Sequence, residues 1–264
     1  MIKRLLFWKP KPVPVLQLHG LIGPRPGALN IEGIGPLIDR AVAAAEGKPG
    51  VLLLDIQSPG GSPVQSDLIA SRIRRRAEEK GVRVIAVIGE VGASGGYWLA
   101  CAADEIVANA MSVVGSIGVI GGGFGVGPAL ARLGVERRLY TAGENKARLD
   151  PFSPERPEDV AFVRGLLDDL HARFKDWVRQ RRAGKLRAEE SALFDGGWML
   201  GARAADLGLI DRLGDLDGVL REIGGEKARA WVVRPRRRGL LARLPRMAAD
   251  EVVAAIEERC LPRF

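Results

Sequence analysis

Histidine and cysteine are nearly missing from this chain, with two of each in 264 residues. Two cysteines build no disulfide framework. Cys101 falls in an apolar helical stretch and reads as core, while Cys260 lies near the C-terminus. Two cysteines and two histidines at these spacings assemble no metal site, so neither a metal nor another cofactor is expected. The shortage of disulfides is compatible with a cytoplasmic location. Aromatic residues make up only 5%, whereas glycine numbers 34, which points to many tight turns and close backbone approaches. No apolar run approaches the roughly 20 residues of a membrane-spanning helix. The run Leu5 to Trp8 is too short for a secretory leader, and Pro10, Pro12 and Pro14 interrupt the stretch after it. There is no internal repeat.

Two segments near the ends hold basic residues and no acidic ones. Residues 1–12 carry Lys3, Arg4, Lys9 and Lys11; residues 234–246 carry Arg234, Arg236, Arg237, Arg238, Arg243 and Arg246. Against a net charge of +8, this leaves the body between them close to neutral, which argues against nucleic acid as a partner. Both ends mix these charges with apolar residues, Leu5 to Trp8 at the start and Leu240, Leu241 and Leu244 at the end. Such a mixture suits peripheral contact with an anionic membrane and equally suits a solvated tail. Three parts are therefore expected: a basic segment 1–12, a folded domain 13–233, and a basic linker with an amphipathic helix (Met247 to Cys260) over 234–264. The expected location is the cytoplasm, with any membrane contact peripheral on the inner membrane.

Within the body, strand and helix patterns alternate. Val13 to Leu18, Val51 to Ile56, Val82 to Ile88, Glu105 to Ala108, Val113 to Val119, Val135 to Tyr140 and Ala228 to Val233 read as strands. Helical spacing begins at Ile34 and recurs over Val64 to Lys80, Tyr97 to Ala103, Glu155 to Arg182, Trp198 to Leu207 and Leu216 to Ile223, with a short helix ending near Leu133. This alternation predicts an α/β fold with a mainly parallel sheet and flanking helices.

The stretch Gly92-Ala93-Ser94-Gly95-Gly96-Tyr97 sets a hydroxyl between a predicted strand and a predicted helix, where free backbone N–H groups favour a developing anion. Gly92-x-Ser94-x-Gly96 also fits the nucleophile elbow of the α/β-hydrolases, whose base is a later histidine. His19 precedes the serine, and His171 lies in a long helix beside Leu167, Leu170 and Phe174, a position suited to packing or the helix surface. Lys146 comes after the predicted strand Val135 to Tyr140 in a loop, where a lysine is ordinarily a solvated charge. It serves as a base only if its surroundings desolvate it.

Four segments in order settle what the chain resembles: Ile56-Gln57-Ser58-Pro59-Gly60-Gly61-Ser62, Ala93-Ser94-Gly95-Gly96-Tyr97, Gly115-Ser116-Ile117-Gly118-Val119, and Gly143-Glu144-Asn145-Lys146 with Asp150-Pro151-Phe152 beyond it. With them the chain resembles the signal peptide peptidase A family of serine proteases (peptidase family S49), in its short single-domain form. The resemblance implies a ClpP/crotonase-like fold of repeated β-β-α and βαβ units. It also implies a Ser-Lys dyad with Ser94 as nucleophile and Lys146 as general base. Gly95 and either Gly60 or Gly61 would supply the oxyanion donors. An added substrate strand would run along Ser62 to Gln65 and Gly115 to Gly122, so that Ser62, Ser116, Ile117, Gly118 and Val119 are the candidate substrate-binding residues. Ser116 is in addition a candidate partner for Lys146, while Tyr97 and Trp98 read as core or interface. Relatives form rings in which adjacent subunits complete each site, so a ring-shaped homo-oligomer acting on peptides or unfolded proteins is expected. The competing readings are a crotonase-type acyl-CoA enzyme, a non-catalytic scaffold at the membrane, and an esterase dependent on His171.

Overall fold

A computed structural model describes residues 12–47 and 50–234. The predicted linker beyond Arg234, the helix Met247 to Cys260 and the basic segment before Pro12 lie outside the described residues. In chain order the first half comprises β1 (Val13–His19), α1 (Ile31–Ala45), β2 (Val51–Ser58), α2 (Pro63–Lys80), β3 (Arg83–Ala93), α3 (Gly95–Ala100), β4 (Glu105–Ala108) and β5 (Val113–Gly115). The second half comprises α4 (Gly127–Arg132), α5 (Pro157–Arg181), α6 (Glu190–Leu193), β6 (Trp198–Leu200), α7 (Gly201–Asp206), β7 (Arg212–Leu213), α8 (Leu216–Gly224) and β8 (Ala230–Val232).

β2 explains the architecture. Its unbroken apolar run reflects a strand covered on both faces. Leu52, Leu54 and Ile56 enter the larger core with α1, α2, α3 and α5, whereas Leu53 joins Val13, Val15, Ile85 and Val87 beneath Val219 and Leu220 of α8. The main sheet order is β6-β5-β3-β2-β1-β8. Every pairing is parallel except β5 with β6, as the alternating pattern predicts. β3 is long enough to hold two neighbours on one edge: Ile85–Ile88 pair with β4, and Val91–Ala93 pair with β5.

Local signals place the helix that precedes the central strand. Ser62 caps α2 by accepting the Gln65 N–H, Pro63 occupies its first turn, and Gly81 ends it in the left-handed conformation at φ 61°. Ile69 and Ile73 of α2 are fully buried, each stabilising the fold by about 1.5–3 kcal/mol.

Three sequence expectations change. The predicted strand Val113 to Val119 stops at Gly115, because Gly115 (φ 99°) and Ser116 (φ 52°) turn the backbone. The predicted helix Trp198 to Leu207 begins as the edge strand β6 and becomes α7 only at Gly201; Trp198 and Leu200 are exposed, so their apolar spacing marked a sheet edge. Val135 to Tyr140 pairs with no strand among the described residues, and Val135, Leu139 and Tyr140 are exposed.

Candidate active site

Ser94 stands where β3 leaves the sheet. Its N–H donates to Gly115 O at 2.8 Å, the last link to β5, and its carbonyl accepts the Trp98 N–H at 3.0 Å as α3 begins. Between these bonds the residue is held at φ 51°, ψ −123°, a conformation that costs a non-glycine residue about 1–3 kcal/mol. Its hydroxyl does not cap the helix, makes no hydrogen bond among the described residues, and is half-buried. Strain held by surrounding hydrogen bonds, around a side chain with no structural task, is a mark of a functional position.

The turn after β2 lies directly against Ser94. A Cβ on Gly60 (φ 102°) would fall 2.7 Å from Gly95 N and 2.8 Å from Ser94 Cβ, and one on Gly96 would fall 2.2 Å from Ser58 O. Buried Ser58 braces the turn: its hydroxyl donates to Gly20 O at 2.7 Å and accepts the Gly60 N–H at 3.2 Å. Ile22 pairs with the turn on the other side, its N–H donating to Gly60 O and its carbonyl accepting the Ser62 N–H. That bridge engages the groups flanking Gly61. The N–H of Gly61 itself has no acceptor among the described residues, and neither has the Gly95 N–H. The sequence left Gly60 and Gly61 as alternatives; here the Gly60 N–H is occupied and the Gly61 N–H is not.

The pairing of β3 ends at Gly92 with Ser58 of β2 and at Ala93 with Gly115 of β5, and no strand among the described residues continues its place in the sheet. Ser116 donates its N–H to Gly197 O at 2.7 Å, Ile117 buries its side chain, and the Gly118 N–H donates to Ser116 O at 2.9 Å. From Val119 to Gly125 no backbone hydrogen bond is made among the described residues. Ser62, a candidate substrate-binding residue, is engaged within the chain. Its N–H goes to Ile22 O, its carbonyl accepts both the N–H and the hydroxyl of Ser66, and its side chain caps α2.

Lys146 lies exposed in the turn after Gly143, its N–H donating to Gly143 O at 3.2 Å. No hydrogen bond joins its side chain to Ser94 or Ser116 among the described residues. Nearby, Asp150 accepts from Ser153 and Arg137, and these bonds hold its carboxyl below the usual range. A cavity of about 1210 Å³ is lined by Gly121–Val126 and by Val160, Val163 and Leu167 of α5.

The remaining polar groups near the site are structural. Tyr97 is fully buried and donates to Leu209 O at 2.6 Å; burial raises its phenol well above its ordinary pKa. Trp98 stacks on Trp177 and tilts against Phe174. Burial pushes the Cys101 thiol up to about 12. Among the described residues no group of three or more His, Cys, Asp or Glu side chains is placed to hold a metal ion. His171 is half-buried and makes a polar contact that the sequence did not announce: its Nε2 donates to Ile117 O at 2.9 Å. Its place one helical turn from both Leu167 and Phe174 was the only hint that it faces inward.

Comparison with known proteins identifies the family. Residues 76–229 match the profile of Peptidase family S49. The chain is 45% identical over 244 residues to the Na(+)/H(+) antiporter NhaA of Brucella abortus, a match covering 90% of this chain and 32% of that protein. It is 35% identical over 170 residues to the Synechocystis sp. protein slr0021, whose name calls it a putative protease, with 64% of this chain and 60% of that protein covered. It is 29% identical over 210 residues to the chloroplastic serine protease SPPA of Arabidopsis thaliana, with 77% of this chain and 31% of that protein covered. The chain thus spans between about a third and three fifths of the length of these relatives, and the antiporter name belongs to a protein two thirds of which lies outside the match. No helix among the described residues is long and apolar enough to cross a membrane.

Proposed function

The chain belongs to peptidase family S49, and from that premise we propose that it is a serine endopeptidase in which Ser94 attacks the peptide carbonyl and Lys146 is the general base. The observation that carries this reading is the unengaged hydroxyl of Ser94, held at φ 51° beside the unengaged N–H groups of Gly61 and Gly95.

In this reading the amine of Lys146 takes the Ser94 proton as Oγ bonds to the scissile carbonyl carbon. The oxygen of the tetrahedral intermediate accepts from Gly61 N–H and Gly95 N–H. Collapse breaks the C–N bond, the departing amine receives the proton from Lys146, and an ester on Ser94 remains. A water then gives a proton to Lys146 as its oxygen bonds to the ester carbonyl carbon; the bond from that carbon to Ser94 Oγ breaks, Lys146 returns the proton to Oγ, and the acid is released. The substrate backbone occupies the vacated β3 position as an added strand, with Ser116, Ile117, Gly118 and Val119 along one side. The unpaired backbone from Val119 to Gly125 supports extended, unfolded substrates.

Lys146 is exposed within its own chain, and a base must be desolvated to be a neutral amine. This favours a ring in which the Lys146 loop of one subunit closes over the Ser94 of the next. The side chains of Ile120 (96% exposed), Phe124 (88%) and Tyr140 (88%) suit such an interface. The basic ends, outside the described residues, remain the proposed peripheral contact with anionic lipid.

The test is to mix two inactive variants, Ser94→Ala and Lys146→Ala, and measure casein hydrolysis. If the dyad forms between neighbours, an equimolar mixture recovers about a quarter of wild-type activity, because random assembly restores one interface in about four. No recovery would place both groups in one chain. Failure of wild type to cleave, together with failure of a phosphonate to label Ser94, would favour the non-catalytic scaffold.

A further inference from the structure

We propose that His171 is a positioning residue that fixes the Ser116–Val119 edge at its working distance from Ser94. The proposal rests on the peptidase reading above. Its basis is one stripe of α5. Arg181 donates to Cys101 O and Ala103 O, at the far end of α3, at 2.9 and 3.1 Å. One turn earlier, Trp177 stacks on Trp98 and donates its indole N–H to Trp98 O at 3.1 Å, and Phe174 tilts against Trp98. Three and seven residues before Phe174, the same face reaches the substrate edge: His171 Nε2 donates to Ile117 O at 2.9 Å, and Leu167 lies against Gly121. One rigid helix is therefore fastened both to the helix that Ser94 begins and to the edge that would receive the substrate.

His171 supplies the side-chain hydrogen bond of that second attachment. A carbonyl only accepts, so Nε2 carries the proton. The edge needs the tie because its backbone is not regular. Ser116 sits at φ 52°, and the Gly118 N–H turns back to Ser116 O, so the segment is kinked at Ile117. A strained conformation persists only where surrounding contacts over-determine it. Here those contacts are the Ser116 bond to Gly197 O, the buried Ile117 side chain, and the imidazole on Ile117 O. Removing the imidazole frees the carbonyl and lets the edge drift, which weakens pairing with an extended substrate more than it disturbs the reaction at Ser94.

The experiment measures kcat and KM on an extended fluorogenic peptide for wild type, His171→Leu, His171→Asn and His171→Gln, with thermal unfolding of each. The Gln amide N–H reaches the position of Nε2; the Asn amide falls short while keeping a polar group at the half-buried site. We expect KM to rise about five- to tenfold in His171→Leu and His171→Asn, with kcat changed less than about twofold, and KM to return in His171→Gln. If the Leu variant does not fold, the Asn variant carries the comparison. An unchanged KM in the folded Leu or Asn variant overturns the proposal, as does a loss confined to kcat or a Gln variant no better than Asn. Phosphonate labelling of wild-type Ser94 separates the two levels. Labelled enzyme with no KM effect refutes the role of His171 alone, and an unlabelled Ser94 refutes the peptidase reading and this inference with it.

Discussion

Gly60→Ala is the substitution whose effect the geometry of the site dictates most directly. The residue is at φ 102°, where a side chain costs about 1–2 kcal/mol in backbone strain. The new methyl would also lie 2.7 Å from Gly95 N and 2.8 Å from Ser94 Cβ, so the turn must retreat by about 0.7 Å to reach ordinary contact at 3.4 Å. It cannot retreat alone, since Ile22 N–H holds Gly60 O and Ser62 is fixed to Ile22 O. The Gly61 N–H moves with it. A donor shifted by that much turns a hydrogen bond of about 2.9 Å into a contact of about 3.6 Å, which is no longer a hydrogen bond. Loss of one oxyanion donor lowers kcat about 100- to 1000-fold. The expected result is thus a folded variant, less stable than wild type by about 2–4 kcal/mol, with kcat on a fluorogenic peptide reduced by that factor. Gly20→Ala is the control: φ is 98° but nothing lies within 4 Å of the added methyl, so only the backbone strain of about 1–2 kcal/mol is incurred and kcat is retained. A folded Gly60→Ala enzyme with kcat within tenfold of wild type would refute the assignment of the turn to the oxyanion.

Two further predictions concern stability and reactivity. Arg182 is buried with its guanidinium on Gly208 O and Asp211, so Asp211→Ala leaves a buried charge unpaired and should cost about 3 kcal/mol in urea unfolding at neutral pH. Burial opposes the Asp211 charge, but the bonds from Arg182 and Lys185 hold its carboxyl below the usual range; its contribution is therefore complete above about pH 4 and fades as the pH falls further, so the difference between variant and wild type should shrink there. The Cys101 thiol, fully buried and raised to about 12, should resist a maleimide in the native protein at pH 8 and react on unfolding; rapid native labelling at Cys101, located by peptide mapping, would contradict its place in the core.

Strand and helix order in the body was legible because each element carries its own period: β2 reads as an unbroken apolar run, and α5 repeats its inward residues every three or four positions. Errors fell where a local pattern had two explanations. Trp198 and Leu200 fit a helix face as well as the exposed edge of β6, and only the pairing with β5 separates them. Val135 to Tyr140 is apolar without being paired, so β-propensity there had nothing to act on. The bond from the Ser62 N–H to Ile22, 40 positions earlier, is likewise not visible to any local reading.

By itself the sequence determined the α/β alternation, the family motifs and the candidacy of Ser94, because these depend on residue type and short-range spacing. Only the tertiary structure decided that the Gly60 N–H is taken while the Gly61 N–H is free of any acceptor among the described residues, since that turns on Ser58 bonding the turn from one side and Ile22, far off in sequence, bridging it from the other. Only the tertiary structure brought His171 onto Ile117, 54 residues away, because a helix face has a direction in space that its period does not specify.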